Sequence, residues 1–161
     1  MTPSFFERNA TEVAPDLLGC IVEFGGVRAH ITEVEAYTAD DPASHSFRGP
    51  TARNKAMFGP AGRLYVYLIY GLHHCANIVT GAEGDGQAVL LRAAVVDGVA
   101  CSRTNGPGKL ARHLGIDRSH DGSHVRVWRD DPPMSGTVRT TPRIGIAKAV
   151  DWPRRWLLTL P

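Results

Sequence analysis

No stretch of this 161-residue chain stays apolar for long. The longest run, Leu64 to Leu72, falls far short of the roughly 20 residues a spanning helix needs, so no membrane segment is expected. Glu7, Glu12 and Asp16 interrupt the first twenty residues, which argues against a secretory leader. Cysteine is scarce, with Cys20, Cys75 and Cys101 scattered and no CxxC. An odd, unspaced set excludes a disulfide framework and reads as buried thiols in a reducing, cytoplasmic compartment. No GxGxxG follows a strand, no P-loop is present, and "GAEGDG" lacks the Lys-Ser/Thr of a phosphate cradle. No GxSxG elbow offers a serine nucleophile. His73–His74 and His120-x3-His124 have no cysteine or acid at matching spacing, so no zinc site is expected.

Lysine is also rare, and what replaces it is informative. Fifteen of the eighteen cations are arginine, the residue suited to bidentate phosphate contacts. Net charge is only +2, but residues 1–45 carry two basic side chains against eight acidic, a balance of −6. Residues 46–161 carry sixteen basic against eight acidic, a balance of +8. An acidic patch beside a basic field suits a carboxylate facing a polyanion. Ordinary solvated charge in an arginine-rich chain explains the same numbers, and on charge alone that plainer explanation ranks first.

A length of 161 residues fits one domain, 1–161, with a core large enough to need no staples. Val13, Leu17 and Leu18 recur with helical period in "PSFFERNATEVAPDLLGC", a short helix begun at Asn9 or Thr11. "CIVEFGGVRAHITEVEAY" alternates around a Gly-Gly turn and predicts a hairpin. Residues 38–63 hold too many turn formers for a long element and predict a functional loop. A second hairpin follows, with strands 63–70 and 74–80. "AVLLRAAVV" then predicts a buried strand, and "NGPGKLARHLGI" a short helix starting near Pro107 and ending at Gly115. "SHVRVW", "TPRIGIAKA" and "RWLLTL" predict three further strands. Strands dominate, so the fold class is α+β: a curved, largely antiparallel sheet with short flanking helices.

Two places carry candidate chemistry. In "ITEVEAYTADDPASHS", Glu33, Glu35 and Tyr37 share a strand face, and the strand runs into a loop bearing Asp40, Asp41 and His45. A carboxylate cluster at a strand end suits a general base, although paired strand carboxylates are more often simply solvated. In "LYVYLIYGLHHC", Leu64, Val66 and Leu68 share one face, and Tyr65, Tyr67 and Ile69 the other. Tyr70 breaks step and stands beside Gly71, where the turn begins.

The ordered set "LLGC", "EVEAY", "ASHS", "RN", "MFGP", "LYVYLIYG", Asn77, "GDG", "LLRA", "NGPGKLARHLGI" and "TPRIGI" closely resembles the alkyladenine (3-methyladenine) DNA glycosylase family. The likeness runs over nearly the whole chain. It implies a monomer that acts on double-stranded DNA in base excision repair, hydrolysing the N-glycosidic bond of damaged purines without a cofactor. Candidate lesions are 3-methyladenine, 7-methylguanine, hypoxanthine and ethenoadenine. By the same resemblance Glu35 is the general base, and Arg92 holds the water or a flanking phosphate. Tyr37, His45, Tyr67 and Asn77 form the base pocket, and Tyr70 intercalates from a β-hairpin inserted into DNA. Asn77 meets the purine edge that carries an exocyclic 2-amino group.

The chain departs from the family between Val96 and Asn105, where only eight residues replace a longer basic connecting helix. Two other readings compete. A non-catalytic nucleic-acid-binding module would keep the stacking tyrosines without needing Glu35. A glycosylase-lyase would need a Schiff-base lysine, and Lys55, Lys109 and Lys148 all lie outside the matched set.

Overall fold

Eleven residues, Val27–Tyr37, form the strand on which the fold is built (β2), in a computed structural model that describes residues 1–161. The other strands are β1 (Ile21–Phe24), β3 (Leu64–Ile69), β4 (His73–Thr80) and β5 (Gln87–Val95). Shorter ones follow: β6 (Arg126–Trp128), β7 (Thr137–Thr141) and β8 (Arg155–Thr159). Neighbours run β3-β4-β5-β2-β1-β6, and β8 pairs with β2 and β7. All of these pairings are antiparallel, so the sheet is the curved antiparallel one the sequence predicts. One edge of β2 serves two partners in turn: Val27–His30 meets β1, and Glu33–Glu35 meets β8.

The phase of β2 slips within the strand. Ala29 and Ile31 face the main core, but so do Val34 and Ala36. Odd positions point inward before residue 32 and even positions after it. The register against β5 explains this, passing from Ile31↔Ala94 to Glu33↔Ala93 to Val34↔Leu91. Thr32 is extra on β2 and Arg92 is extra on β5, so each strand carries a bulge at the same place. Without the bulge, Glu33 and Glu35 would continue the face of Ile31 into an apolar core, where unpaired carboxylates are prohibitively costly. On β5 the matching slip falls at Arg92, so the core face passes from Val89 and Leu91 to Ala94.

Helices cover one face of the sheet. α2 (Ala10–Leu17) lays Val13, Ala14 and Leu17 against it, and α3 (Pro107–His113) adds Leu110 and Ala111. Asn9 caps α2 by accepting a hydrogen bond from the Thr11 amide, the start that the sequence marks. A four-residue helix, α1 (Pro3–Phe6), precedes it and buries Phe6. The other face carries Tyr65, Val79 and Ala88, covered by Met57 from the long loop between β2 and β3. Two layers result, and the second is where the site lies.

Strand β3 is a sheet edge, and the segment after α3 protects it. Asp121 accepts from the Val66 amide at 2.8 Å, Arg118 donates to the Val66 carbonyl, and the Leu64 amide donates to Ser123. An edge satisfied in this way offers no template for foreign strands. The β3–β4 hairpin projects beyond this cover. Its turn hydrogen bond runs from the Leu72 amide to the Ile69 carbonyl, with Tyr70 at φ 52° and Gly71 at φ 67°. Two successive left-handed residues are the mark of a type I′ turn.

One expected strand is absent. "TPRIGIAKA" forms no strand: residues 142–150 are irregular, and the strand that pairs with β8 is the preceding "TVRTT" of β7. Its apolar residues face a cavity and solvent, whereas Arg143 alone is buried there. The short connector after Val96 holds only a 3₁₀ turn at Cys101–Arg103.

Candidate active site

A cavity of about 1260 Å³ opens on the second face of the sheet. Its wall draws on β2, β3, β4 and β5, on the loop after β2 and on residues 144–148. Tyr37, His45, Tyr67, Asn77, Arg92 and Tyr70 all line it, so six of the seven predicted site residues meet there. The seventh, Glu35, lies directly behind them.

Glu35 is fully buried, and every bond to it comes from a residue of the cavity wall. The Tyr37 hydroxyl donates to Oε2 at 2.9 Å, and the Ile144 amide donates to Oε1 at 3.0 Å. Arg92 Nη1 stands 3.3 Å from Oε2, looser than the 2.7–2.9 Å usual for a charge-assisted bond. A carboxylate accepts at about four lone-pair positions, so three neighbours leave capacity for one more donor. Burial, reinforced by the Glu35 charge, pushes the Tyr37 phenol far above its ordinary range and keeps it a donor. Glu33 points the same way but is engaged differently. Its Oε1 accepts from Arg92 Nε at 2.9 Å and from Arg155 Nε at 2.6 Å.

The loops on either side are tied together by a pair the sequence reading missed. Arg143 forks onto Asp41, with Nη2 at 3.0 Å from Oδ1 and Nη1 on Oδ2, and both side chains are wholly inaccessible. Nη1 also donates to the Ala36 carbonyl at 3.0 Å, and the guanidinium lies 4.6 Å over the Tyr37 ring. Arg154 adds a second cation at 3.5 Å from Asp41. The motif "TPRIGI" thus supplies two parts: Arg143 as an anchor, and the next residue's amide as a donor to Glu35.

Aromatic rings make the rest of the wall. His45 stands edge-on to Tyr67 with centroids 4.6 Å apart, so it shares the Tyr67 side of the cavity. Its Nδ1 is 2.8 Å from the Tyr65 hydroxyl. Burial lowers the His45 pKa, so the ring is neutral near pH 7. Burial, with the nearby Asp121 charge, pushes Tyr65 up to about 12. Asn77 is paired across the hairpin with Tyr65, and its Nδ2 donates to the Tyr65 carbonyl at 2.9 Å. That bond fixes the amide plane at the cavity floor.

At the mouth, Arg48, Arg53, Arg118 and Lys148 join Arg92 among the lining residues, and no aspartate or glutamate does. The cavity itself is therefore lined by cations, with the Glu35 and Asp41 carboxylates buried behind it. Tyr70 is 83% exposed at the hairpin tip, with Leu72 beside it at 76%. The Lys109 ammonium is tied to the Ser102 carbonyl at 3.0 Å. Asp117 and His120 cap one another, and no three His, Cys, Asp or Glu side chains converge to hold a metal.

A family model described as methylpurine-DNA glycosylase matches residues 4–160. A Methanoculleus marisnigri protein named "Putative 3-methyladenine DNA glycosylase" is 45% identical, over 96% of this chain and 93% of its own length. Relatives of the same name come from Rhodopseudomonas palustris and Anaeromyxobacter dehalogenans. The first is 45% identical over 97% of this chain and 83% of its own length. The second is 49% identical over 98% of this chain and 80% of its own length. The chain belongs to the methylpurine-DNA glycosylase family.

Proposed function

We propose that this protein is a monofunctional DNA glycosylase that releases alkylated purines, 3-methyladenine among them, from duplex DNA. The observation that carries the reading is the Glu35 carboxylate, buried behind an aromatic, cation-rimmed cavity and held only by residues of its wall. A module that merely binds DNA has no use for a buried carboxylate set behind its base pocket with one acceptor position left free, since desolvating it costs stability.

The chemistry follows from access and charge. The glycosidic bond lies inside a stacked duplex, so the nucleotide must be flipped out, at a cost of a few kcal/mol that is least for poorly paired, damaged bases. Tyr70, exposed at the tip of the type I′ turn, fills the gap it leaves. Tyr37, Tyr67 and His45 then stack on the flipped base, an interaction worth about 1–3 kcal/mol that tolerates many purines. The Arg92–Glu35 contact is the loosest around the carboxylate. It is the one that yields to admit a water. Glu35 takes a proton from that water, the oxygen bonds to C1′, and the N-glycosidic bond breaks with its electron pair on the base. The remaining negative charge at the site stabilises an oxocarbenium-like centre.

A base alkylated at N3 or N7 is cationic and leaves as a neutral purine, with no acid to protonate it. Neutral His45 suits this, since an imidazolium would repel such a base. Hypoxanthine and ethenoadenine are the further lesions we assign to the same stacking pocket. Being neutral, they leave as anions, and the proton that Glu35 took from the water balances them, while 7-methylguanine tests the Asn77 edge. The protein acts as a monomer, in the cytoplasm, with no cofactor. Incubation with duplexes bearing each lesion, followed by alkali, tests the reading. Strands should be cut only after alkali, with 3-methyladenine released. Protein that leaves every lesion in place would reduce it to a binding module.

A further inference from the structure

Two charged side chains remain unexplained by that mechanism, Glu33 and Arg155. Both are largely buried, and they meet at a single oxygen. Glu33 Oε1 accepts Arg92 Nε at 2.9 Å and Arg155 Nε at 2.6 Å, with the three side chains between 10% and 18% exposed. Arg155 is fixed in turn, its Nη1 donating to Thr141 Oγ1 at 3.1 Å. It also stands opposite Glu35 in the β2–β8 register. Arg92 itself sits at the β5 bulge, where its carbonyl accepts from the Gly106 amide at 2.9 Å.

We propose that Glu33 and Arg155 form a brace that aims Arg92 at Glu35, and that Glu33 is a positioning residue with no part in proton transfer. The inference rests on Glu35 being the base. Tying Nε of a guanidinium leaves its Nη end as the only free fork, and here that fork faces Glu35 and the cavity. At the bulge the Gly106 amide holds the Arg92 backbone, and the Glu33 anchor fixes the direction of its side chain. Two guanidiniums already occupy one Glu33 oxygen, which fits an anchor.

The brace also balances charge. Glu33 and Glu35 face Arg92 and Arg155, two against two. The other groups around Glu35 are the Tyr37 hydroxyl on β2, the Cys75 thiol on β4, and Arg143, which shares the Asp41 carboxylate with Arg154. Removing Glu33 leaves Glu35 alone with two guanidiniums, which disfavours its protonation. Removing Arg155 leaves two carboxylates with one guanidinium, which favours protonation. The two changes therefore move the acid side of the pH–rate profile in opposite directions.

The test is single-turnover excision from a lesion duplex across pH, with duplex affinity measured alongside and folding checked by thermal melting. Glu33→Gln should lower the plateau rate by roughly tenfold to a hundredfold, the cost of misaiming a group by about an ångström. Its affinity for the duplex should hold, and its acid limb should move to lower pH. Arg155→Met should move the acid limb to higher pH, and Arg155→Lys, which keeps the charge, should restore it. Acid limbs that stay put in both Glu33→Gln and Arg155→Met would overturn the brace while leaving Glu35 as base. Complete loss in Glu33→Gln together with full activity in Glu35→Gln would instead overturn the assignment of the base.

Discussion

Arg143 and Asp41 form the one ion pair in this protein whose two side chains are both wholly inaccessible. It joins the loop after β2 to the segment after β7, and the Ile144 amide that holds Glu35 is its immediate neighbour. Breaking a buried pair by removing one partner leaves an uncompensated charge, which costs about 3–5 kcal/mol. Asp41→Asn should therefore lower the unfolding free energy by an amount in that range, read as a lower urea midpoint at unchanged slope. Its excision rate should fall even at temperatures where the variant is folded, because Ile144 is no longer held. A variant with the wild-type midpoint would remove the pair from the list of what builds the site.

The two tyrosines of β3 and its turn should separate in kinetics. Tyr70 is exposed at the tip, whereas Tyr67 lines the cavity against His45. Tyr70→Ala should weaken binding to a paired lesion and recover when the lesion lies in an easily opened mismatch. Tyr67→Ala should stay slow in both duplexes, since stacking worth about 1–3 kcal/mol is lost after flipping. Identical responses to paired and mismatched lesions would contradict the division of labour.

Asn77 should set selectivity against guanine. Its Nδ2 bond to the Tyr65 carbonyl prevents the amide from swinging away, so it stands as a fixed obstacle at the cavity floor. Asn77→Ala should raise release of 7-methylguanine relative to hypoxanthine in matched duplexes. An unchanged ratio in a folded variant would leave Asn77 with only the role its bond already shows, pinning β3 to β4.

His45 gives the pocket a pH dependence whose sign can be worked out. Burial lowers its folded-state pKa below the ordinary value of 6.5. The unfolded chain then binds the proton first as pH falls, so stability is lost below about pH 6.5. The melting temperature of the wild type should drop over that window by more than that of His45→Gln. Parallel curves would mean that the ring titrates as it does in solvent.

Much of this was legible because the sequence marks turns and faces clearly. Asn9 before an apolar period placed α2, the Gly-Gly and Tyr-Gly turns placed both hairpins, and Tyr70 out of step with Tyr65 and Tyr67 placed an aromatic at the tip. What escaped has physical reasons. The double bulge is visible only as a change of phase, from Ala29 and Ile31 to Val34 and Ala36, and alternation alone does not say which residue is extra. "TPRIGIAKA" reads as a strand because its apolar residues are spaced like one. Arg143 anchors it instead, and a buried arginine needs a partner 102 residues away in sequence. The Ile144 amide could not be found from side chains, because the functional group is backbone. In β7, "TVRTT" is exposed along most of its length and carries no apolar alternation to announce it.

Glu35→Gln tests the central claim most directly. The substitution keeps the shape of the side chain and removes both its charge and its ability to take a proton. With a duplex bearing one alkylated purine, affinity and single-turnover base release should be measured on the same preparation. Binding close to wild type with base release reduced by at least 10²-fold, the contribution usual for a positioned base, is the expected result. Release at the wild-type rate by a folded Glu35→Gln protein would contradict it.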